Sequence, residues 1–252
     1  MRDRVLAGRR VAEFNRLYTR DFDRDVAIYL DLASKYPGPV LELGCQTGRV
    51  TARLAQAGHE VVGIDTNRPM LEIASARVEP WSERGRVMDF DLRHAALAER
   101  YQVCIAPLYA FNSLIDVEEQ RLYLRHLQCS MRSPGIVAFD LFCPLSFVRP
   151  EETGEWRVIE REVEGSRLVV RDRREMLTPL LERRIQAFRI DGSTEHESET
   201  HRRYLPPQSA ASLLLESGFE SVRWLDGYDL STLRPVEDDA RPQGPFMVIA
   251  EL

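Results

Sequence analysis

Apolar positions in the first 36 residues recur at helical spacing. Val11, Phe14, Leu17 and Tyr18 share one face, and Val26, Tyr29, Leu30 and Ala33 share a second. Pro37-Gly38-Pro39 stops this pattern, and short apolar runs then alternate with helical stretches. The runs 40–43, 60–64, 86–92, 102–106 and 136–142 predict strands, with helices after Gly48, after Pro69 and over 117–131. Such alternation predicts a parallel sheet. Past residue 144 the period becomes two. Segments 156–163, 167–176, 181–190 and 197–204 alternate apolar or aromatic residues with charges, joined by Glu164-Gly165-Ser166 and Asp191-Gly192-Ser193. They predict an antiparallel β insertion with one wet face, where Arg171, Arg173 and Arg174 are expected to meet water rather than an anion. Helix 207–217 and strands 219–225 and 246–251 resume the α/β pattern.

The predicted architecture is α/β, with a mostly parallel seven-stranded sheet. Its parts are an N-terminal helical cap (1–36), a core (37–144), the antiparallel β insertion as substrate cover (145–204) and the rest of the core (205–252). Chemistry enters at the first strand. Val40-Leu41-Glu42-Leu43-Gly44-Cys45-Gln46-Thr47-Gly48-Arg49 carries an apolar strand into a glycine turn, and Val61-Val62-Gly63-Ile64-Asp65 ends a second strand on a carboxylate. Backbone at such a turn approaches a nucleoside ligand closely, and the carboxylate takes ribose hydroxyls. A dinucleotide site wants G-x-G-x-x-G. Here the spacing is Gly44-x-x-x-Gly48, so a nicotinamide dehydrogenase is disfavoured.

The pattern resembles motif I of class I S-adenosylmethionine-dependent methyltransferases, E/D-x-G-x-G-x-G, with Gln46 in place of the usual middle glycine. The resemblance covers Pro39 to about Phe142, and implies a Rossmann-like fold and S-adenosylmethionine as cofactor. It places Gly44, Cys45 and Gly48 beside the methionine part, with Glu42 ordering the loop and the methionine amino end. Asp65 holds the ribose, and Thr66 and Met70 pack the adenine. Asp91 and Leu92 meet the adenine edge, with Asp89-Phe90 as the neighbouring register. Ala106 and Pro107 flank the sulfonium. Gln46 either reaches the methionine carboxylate or marks a weakened site. Tyr18 either lines the lid over the cofactor or packs the helical cap.

Ile105-Ala106-Pro107-Leu108-Tyr109-Ala110-Phe111-Asn112 and Phe139-Asp140-Leu141-Phe142-Cys143-Pro144 resemble small-molecule N-methyltransferases of glycine-like, aminosugar and peptide-terminal substrates. In these an insertion after strand five covers the acceptor. The Asn-Pro-Pro-Tyr motif of base and glutamine-amide methylation is lacking, and no metal-ligand spacing is evident. The resemblance therefore implies methyl transfer to a small molecule, with nitrogen slightly ahead of oxygen. The catalytic candidates are His201, a proton acceptor of the insertion beside His196, and Tyr109, which contacts the site or packs the core. Asn112 contacts the site or caps a helix. The rival reading is an inactive binding or scaffold protein on the same fold.

Composition narrows the setting. A formal charge of −6 does not suggest a nucleic-acid partner. Lys35 is the only lysine, so the positive charge is almost all arginine, which reads as codon bias before function. Cys45, Cys104, Cys129 and Cys143 form no C-x-x-C pair, and three of them sit in or beside apolar elements, as buried reduced thiols do. No apolar run approaches a membrane span, so a soluble, cytoplasmic protein with no membrane partner is expected. An exposed edge of the insertion offers a pairing surface for a homodimer.

Overall fold

The computed structural model describes residues 2–142, 154–237, 242 and 244–252. Helices α1 (Arg2–Tyr18) and α2 (Val26–Lys35) precede β1 (Val40–Leu43). There follow α3 (Arg49–Gln56), β2 (Val61–Asp65), α4 (Arg68–Val78), β3 (Gly85–Asp89), β4 (Tyr101–Ala106), α5 (Val117–Cys129) and β5 (Met131–Leu141). A four-stranded meander, β6 (Arg157–Val163), β7 (Ser166–Thr178), β8 (Leu181–Ile190) and β9 (His196–Arg203), leads to α6 (Pro207–Glu216). The chain closes with β10 (Ser221–Asp226), β11 (Arg234–Pro235) and β12 (Phe246–Glu251).

The main sheet runs β11-β10-β12-β5-β4-β1-β2-β3, parallel from β5 to β3, with β12 antiparallel between β5 and β10. It has eight strands, because Arg234–Pro235 adds a two-residue pairing at the edge of β10. Strand alternation builds two cores. On β4, Cys104 and Ala106 pack with Leu124 and Leu127 of α5, whereas Val103 and Ile105 pack with Tyr29 and Leu32 of α2 and Leu54 of α3. Helices thus cover both faces of the sheet.

β1 pairs with β2 on one side and β4 on the other, so the chain reverses its direction of growth there. Such a switch opens a crevice at the carboxyl ends of the strands. Over that crevice sits the small sheet, β6-β7-β8-β9, antiparallel throughout. Its first hairpin turns on the two-residue loop Glu164-Gly165 (φ 53° and 78°), and Asp191-Gly192 (φ 51° and 70°) open the connection 191–195 of the third, each a pair of consecutive left-handed residues. Phe14 and Leu17 of α1 fill its inner face with Val163, Leu168, Val170 and Phe188; the Phe14 and Phe188 rings stack at 4.2 Å. Glu164 pairs with Arg16 and Arg20, pinning the hairpin to the helix.

Two expectations need correction. Cys129, at the end of α5, is exposed, while Cys45 and Cys104 are buried; Cys143 and Pro144 lie outside the described residues. Of the three arginines expected to face water, only Arg171 is exposed. Arg174 is half-buried and turns toward α1, on the other side of the sheet from its neighbour.

Candidate active site

The glycine turn is the floor of the site. Gly44 leaves β1 at φ 63°, and a Cβ there would stand 2.9 Å from the Cβ of Ala110. Gly48 (φ 72°) precedes α3, where a Cβ would meet the Cα of Ala74 at 3.1 Å. Between them Gln46 adopts φ 50°, a backbone shape that costs a residue with a side chain about 1–2 kcal/mol. Two hydrogen bonds offset this. The Gln46 N–H donates to Oδ2 of Asp65 at 2.9 Å, and its Oε1 accepts from Nδ2 of Asn15 at 2.8 Å. The side chain is thereby held to α1.

Carboxylates ring the turn. Asp65, at the end of β2, also accepts from the Asn67 N–H at 2.8 Å; burial raises its pKa against the pull of those backbone donors. Glu42 is fully buried, accepts from the Thr51 hydroxyl, and is pushed up to about 7 by burial. It lines a small recess with Gly44, Cys45, Gln46, Arg49 and Pro107. Arg49 is already engaged, forking onto Asp25 at 2.6 and 2.7 Å. Past β3, burial alone would raise the Asp91 pKa, but hydrogen bonds from Arg93 at 2.7–3.1 Å outweigh it and hold the carboxylate below its usual range.

These residues border a cavity of about 310 Å³. Among the sequence candidates it is lined by Gly44, Gln46, Asp65, Thr66, Asp91, Leu92, Ala106, Tyr109 and His201. Asp89 lies elsewhere, exposed and paired with Arg68 at 3.1 Å. Gly48 and Met70 do not line it: one serves the start of α3, and the other is buried in α4. Tyr18 is the clear displacement. It lines a second cavity, of about 400 Å³, between α1 and the small sheet, where its hydroxyl accepts from Nη2 of Arg184 at 3.3 Å. The two cavities share Gln46, Leu108, Tyr109 and Arg202.

The wall between them is the loop after β4. Leu108 and Tyr109 are both left-handed (φ 49° and 63°), a strain concentrated at the junction. Asp140 supports it from β5, its Oδ2 accepting from the Leu108 N–H at 3.0 Å and the Tyr228 hydroxyl at 3.1 Å. Burial drives the Asp140 pKa well up, and burial together with Asp140 raises that of the Tyr109 phenol. Asn112 caps nothing. Its Nδ2 donates to the Arg203 carbonyl at 2.6 Å and its Oδ1 accepts from the Phe142 N–H at 3.2 Å, clamping the loop between β9 and β5. Sequence reasoning missed Asp140, an acid inside an apolar strand, and that oddity was its signal. It also missed His126, whose Nδ1 meets the Leu92 carbonyl at 2.6 Å and anchors the Asp91-Leu92 segment. Arg202 and Gln186 had no local signal.

Residues 40–135 match the family model described as a methyltransferase domain. That stretch carries a methyltransferase domain. An uncharacterized methyltransferase of Geobacillus thermodenitrificans (strain NG80-2) is 31% identical over 118 residues, 47% of this chain and 52% of that protein. The chain thus spans about half the length of the curated relatives it matches. The fold extends further. An S-adenosylmethionine-dependent methyltransferase from Clostridium acetobutylicum ATCC 824 superposes with TM-score 0.73 at 14% identity, over 95% of this chain and 96% of its own. The sugar N-methyltransferase KedS8 from Streptoalloteichus sp ATCC 53650 does so at 0.72 and 17%, over 94% and 90%.

The cofactor of such domains is S-adenosylmethionine, and the residues present fit it. The buried Glu42 carboxyl opens on a recess at the glycine turn, suited to an ammonium. Asp65 keeps lone pairs for a diol beyond its two backbone donors. No helix among the described residues is long and apolar enough to cross a membrane.

Proposed function

We propose that the protein transfers a methyl group from S-adenosylmethionine to a small-molecule acceptor, on nitrogen in preference to oxygen. The observation that carries this reading is the meeting of the two cavities at Tyr109: one bears the cofactor carboxylates, the other is roofed by the small sheet. The preference for nitrogen is supported by the named chemistry of the neighbours, KedS8 as a sugar N-methyltransferase and MtfA as a glycopeptide N-methyltransferase.

When bound, the cofactor supplies an electrophilic methyl group. The chain's own residues do the rest. Glu42, Asp65 and Asp91 fix the donor, and α1 and the small sheet hold the acceptor and exclude water, so alignment is the main contribution. Tyr109 keeps its proton and acts as a hydrogen-bond donor at the junction. Among the described residues His201 is the one imidazole lining either cavity, half-exposed and 3.8 Å from Glu199. We assign it the acceptor's proton. Isothermal titration with S-adenosylhomocysteine, then release of that product on adding amine or hydroxyl acceptors, tests the reading. Absence of cofactor binding sinks it. Binding without turnover on any acceptor favours the scaffold reading. His201→Ala should lower kcat far more than it weakens cofactor binding.

A further inference from the structure

The second cavity is cationic in a way that composition alone does not explain. Arg161, Arg174, Arg184 and Arg202 line it. Three are engaged. Arg184 donates to Asp172 at 2.6 Å, Arg174 lies 3.6 Å from Asp172 and 4.0 Å from Glu182, and Arg161 reaches the exposed Asp21 at 3.2 Å. Arg202 is different. Its guanidinium stands 5.7 Å from the Tyr109 ring centroid, and no carboxylate among the described residues lies within 4.0 Å of it, although Glu182 is its register partner on β8. Four guanidinium groups against Asp21, Asp172 and Glu182 leave one positive charge uncompensated.

A half-buried cation without a counter-ion is costly unless a ligand supplies one. A second group points the same way. Gln186 is 8% exposed, lines the cavity, and its Nε2 has no hydrogen-bond partner. An orphaned donor and an unpaired guanidinium lining one cavity, four register positions apart, are a receptor for oxygen atoms of one anionic molecule. Phe14, Tyr18 and Phe142 supply an apolar wall for the rest of the molecule.

Resting on the function proposed above, we propose that the acceptor carries a carboxylate, held by Arg202 in the cavity between α1 and the small sheet, with Gln186 donating to a further oxygen of the same molecule. One uncompensated charge matches one carboxylate. The arrangement also serves the transfer, because nearby guanidinium groups disfavour an ammonium and keep the acceptor amine in its neutral, nucleophilic form.

The test measures binding by saturation-transfer NMR to the full chain, with and without S-adenosylhomocysteine. The probes are 4-aminobenzoate against 4-aminobenzamide, 4-aminobutyrate against 4-aminobutanamide, and glucosamine 6-phosphate against glucosamine. Each carboxylate should bind roughly tenfold to a hundredfold more tightly than its amide. Arg202→Gln should abolish that preference, Arg202→Lys should restore part of it, and Gln186→Leu should weaken it. Circular dichroism should report that all three variants fold, and S-adenosylhomocysteine affinity should stay within about twofold in Gln186→Leu, which lines the second cavity alone. Equal binding of acid and amide overturns the proposal, as does a preference unchanged in Arg202→Gln or a preference for the phosphate alone. Failure to bind S-adenosylhomocysteine would overturn the methyltransferase reading instead, and the cofactor-free measurement would still judge the carboxylate site.

Discussion

The two cavities that meet at Tyr109 differ in charge, the first balanced and the second cationic. The one under the main sheet's rim sets Asp65 and Asp91 against Arg93 and Arg202, with Glu42 in a small recess of its own at the glycine turn; the one under the small sheet sets Arg161, Arg174, Arg184 and Arg202 against Asp21. Their construction differs as well. The carboxylate side is made of strand ends and a glycine turn within about fifty residues, so its geometry is fixed by backbone and register. The arginine side joins α1 to strands far along the chain, as in the Tyr18–Arg184 contact across 166 positions. On the proposed function, donor recognition lies in local backbone geometry and acceptor recognition in side chains brought together across the chain.

Arg49 is the cation of the recess that holds Glu42, and it is engaged by Asp25. Asp25 is fully buried and Arg49 nearly so. Asp25→Ala would leave the guanidinium buried without its partner, costing about 3–5 kcal/mol of stability. Urea unfolding monitored by circular dichroism checks this; a loss under about 1 kcal/mol would show that water reaches the pair.

Glu42 sharpens the comparison through pH. Its carboxyl is raised by burial from the ordinary 4.5 to about 7, so the folded state holds a proton that the unfolded state has released. Between those values stability falls as pH rises, because the folded protein binds more protons. The protonated group's contribution is fully present below 4.5 and lost above about 7, in all about 3 kcal/mol. The difference in unfolding free energy between the native chain and Glu42→Gln should follow that course. A flat difference would place the group in contact with solvent. Cofactor titrations near pH 6 should also release a proton as an ammonium enters the recess, seen as a binding enthalpy that varies with buffer, and Glu42→Gln should abolish it.

Asp65→Ala should weaken S-adenosylhomocysteine binding by about 2 kcal/mol. It would strand the ribose hydroxyls and release the N–H groups of Gln46 and Asn67 together. Unchanged affinity would move the ribose elsewhere and dissolve the charge contrast.

Glu42, Gly44, Asp65 and Asp91 were legible in the sequence because each is tied to a strand end, and strand ends follow from apolar runs. The insertion's four strands were legible for the same reason, from their period of two. Tyr18, Asn15, Gln186 and Arg202 were not. Their roles depend on how a helix at one end of the chain docks on a sheet near the other, and no local spacing encodes that. Arg174 shows the limit well. Three arginines in one strand read as a solvated face, yet alternation turns one of them inward beneath α1. Asn112 misleads in the opposite way: it precedes a helical pattern as a cap would, but its bonds run to Arg203 and Phe142.

Gln46 belongs to both cavities, and its substitution should have the smallest effect of the series. Gln46→Gly would relieve a left-handed strain of about 1–2 kcal/mol. It would also free the unfolded chain and remove the bond from Asn15, each costing about 1 kcal/mol. The terms nearly cancel, so stability and cofactor affinity should change by less than about 1 kcal/mol. Asn15→Ala separates the contributions, since it breaks the same bond while leaving the backbone strained. It should cost about 1 kcal/mol, and Gln46→Gly added to it should gain the strain less the unfolded-chain cost, up to about 1 kcal/mol. If Gln46→Gly by itself raised cofactor affinity more than tenfold, the Asn15 bond would be too weak to matter and the side chain would be obstructing the donor site. A double-mutant cycle on S-adenosylhomocysteine affinity distinguishes the two, because only a bond between Asn15 and Gln46 makes the substitutions non-additive.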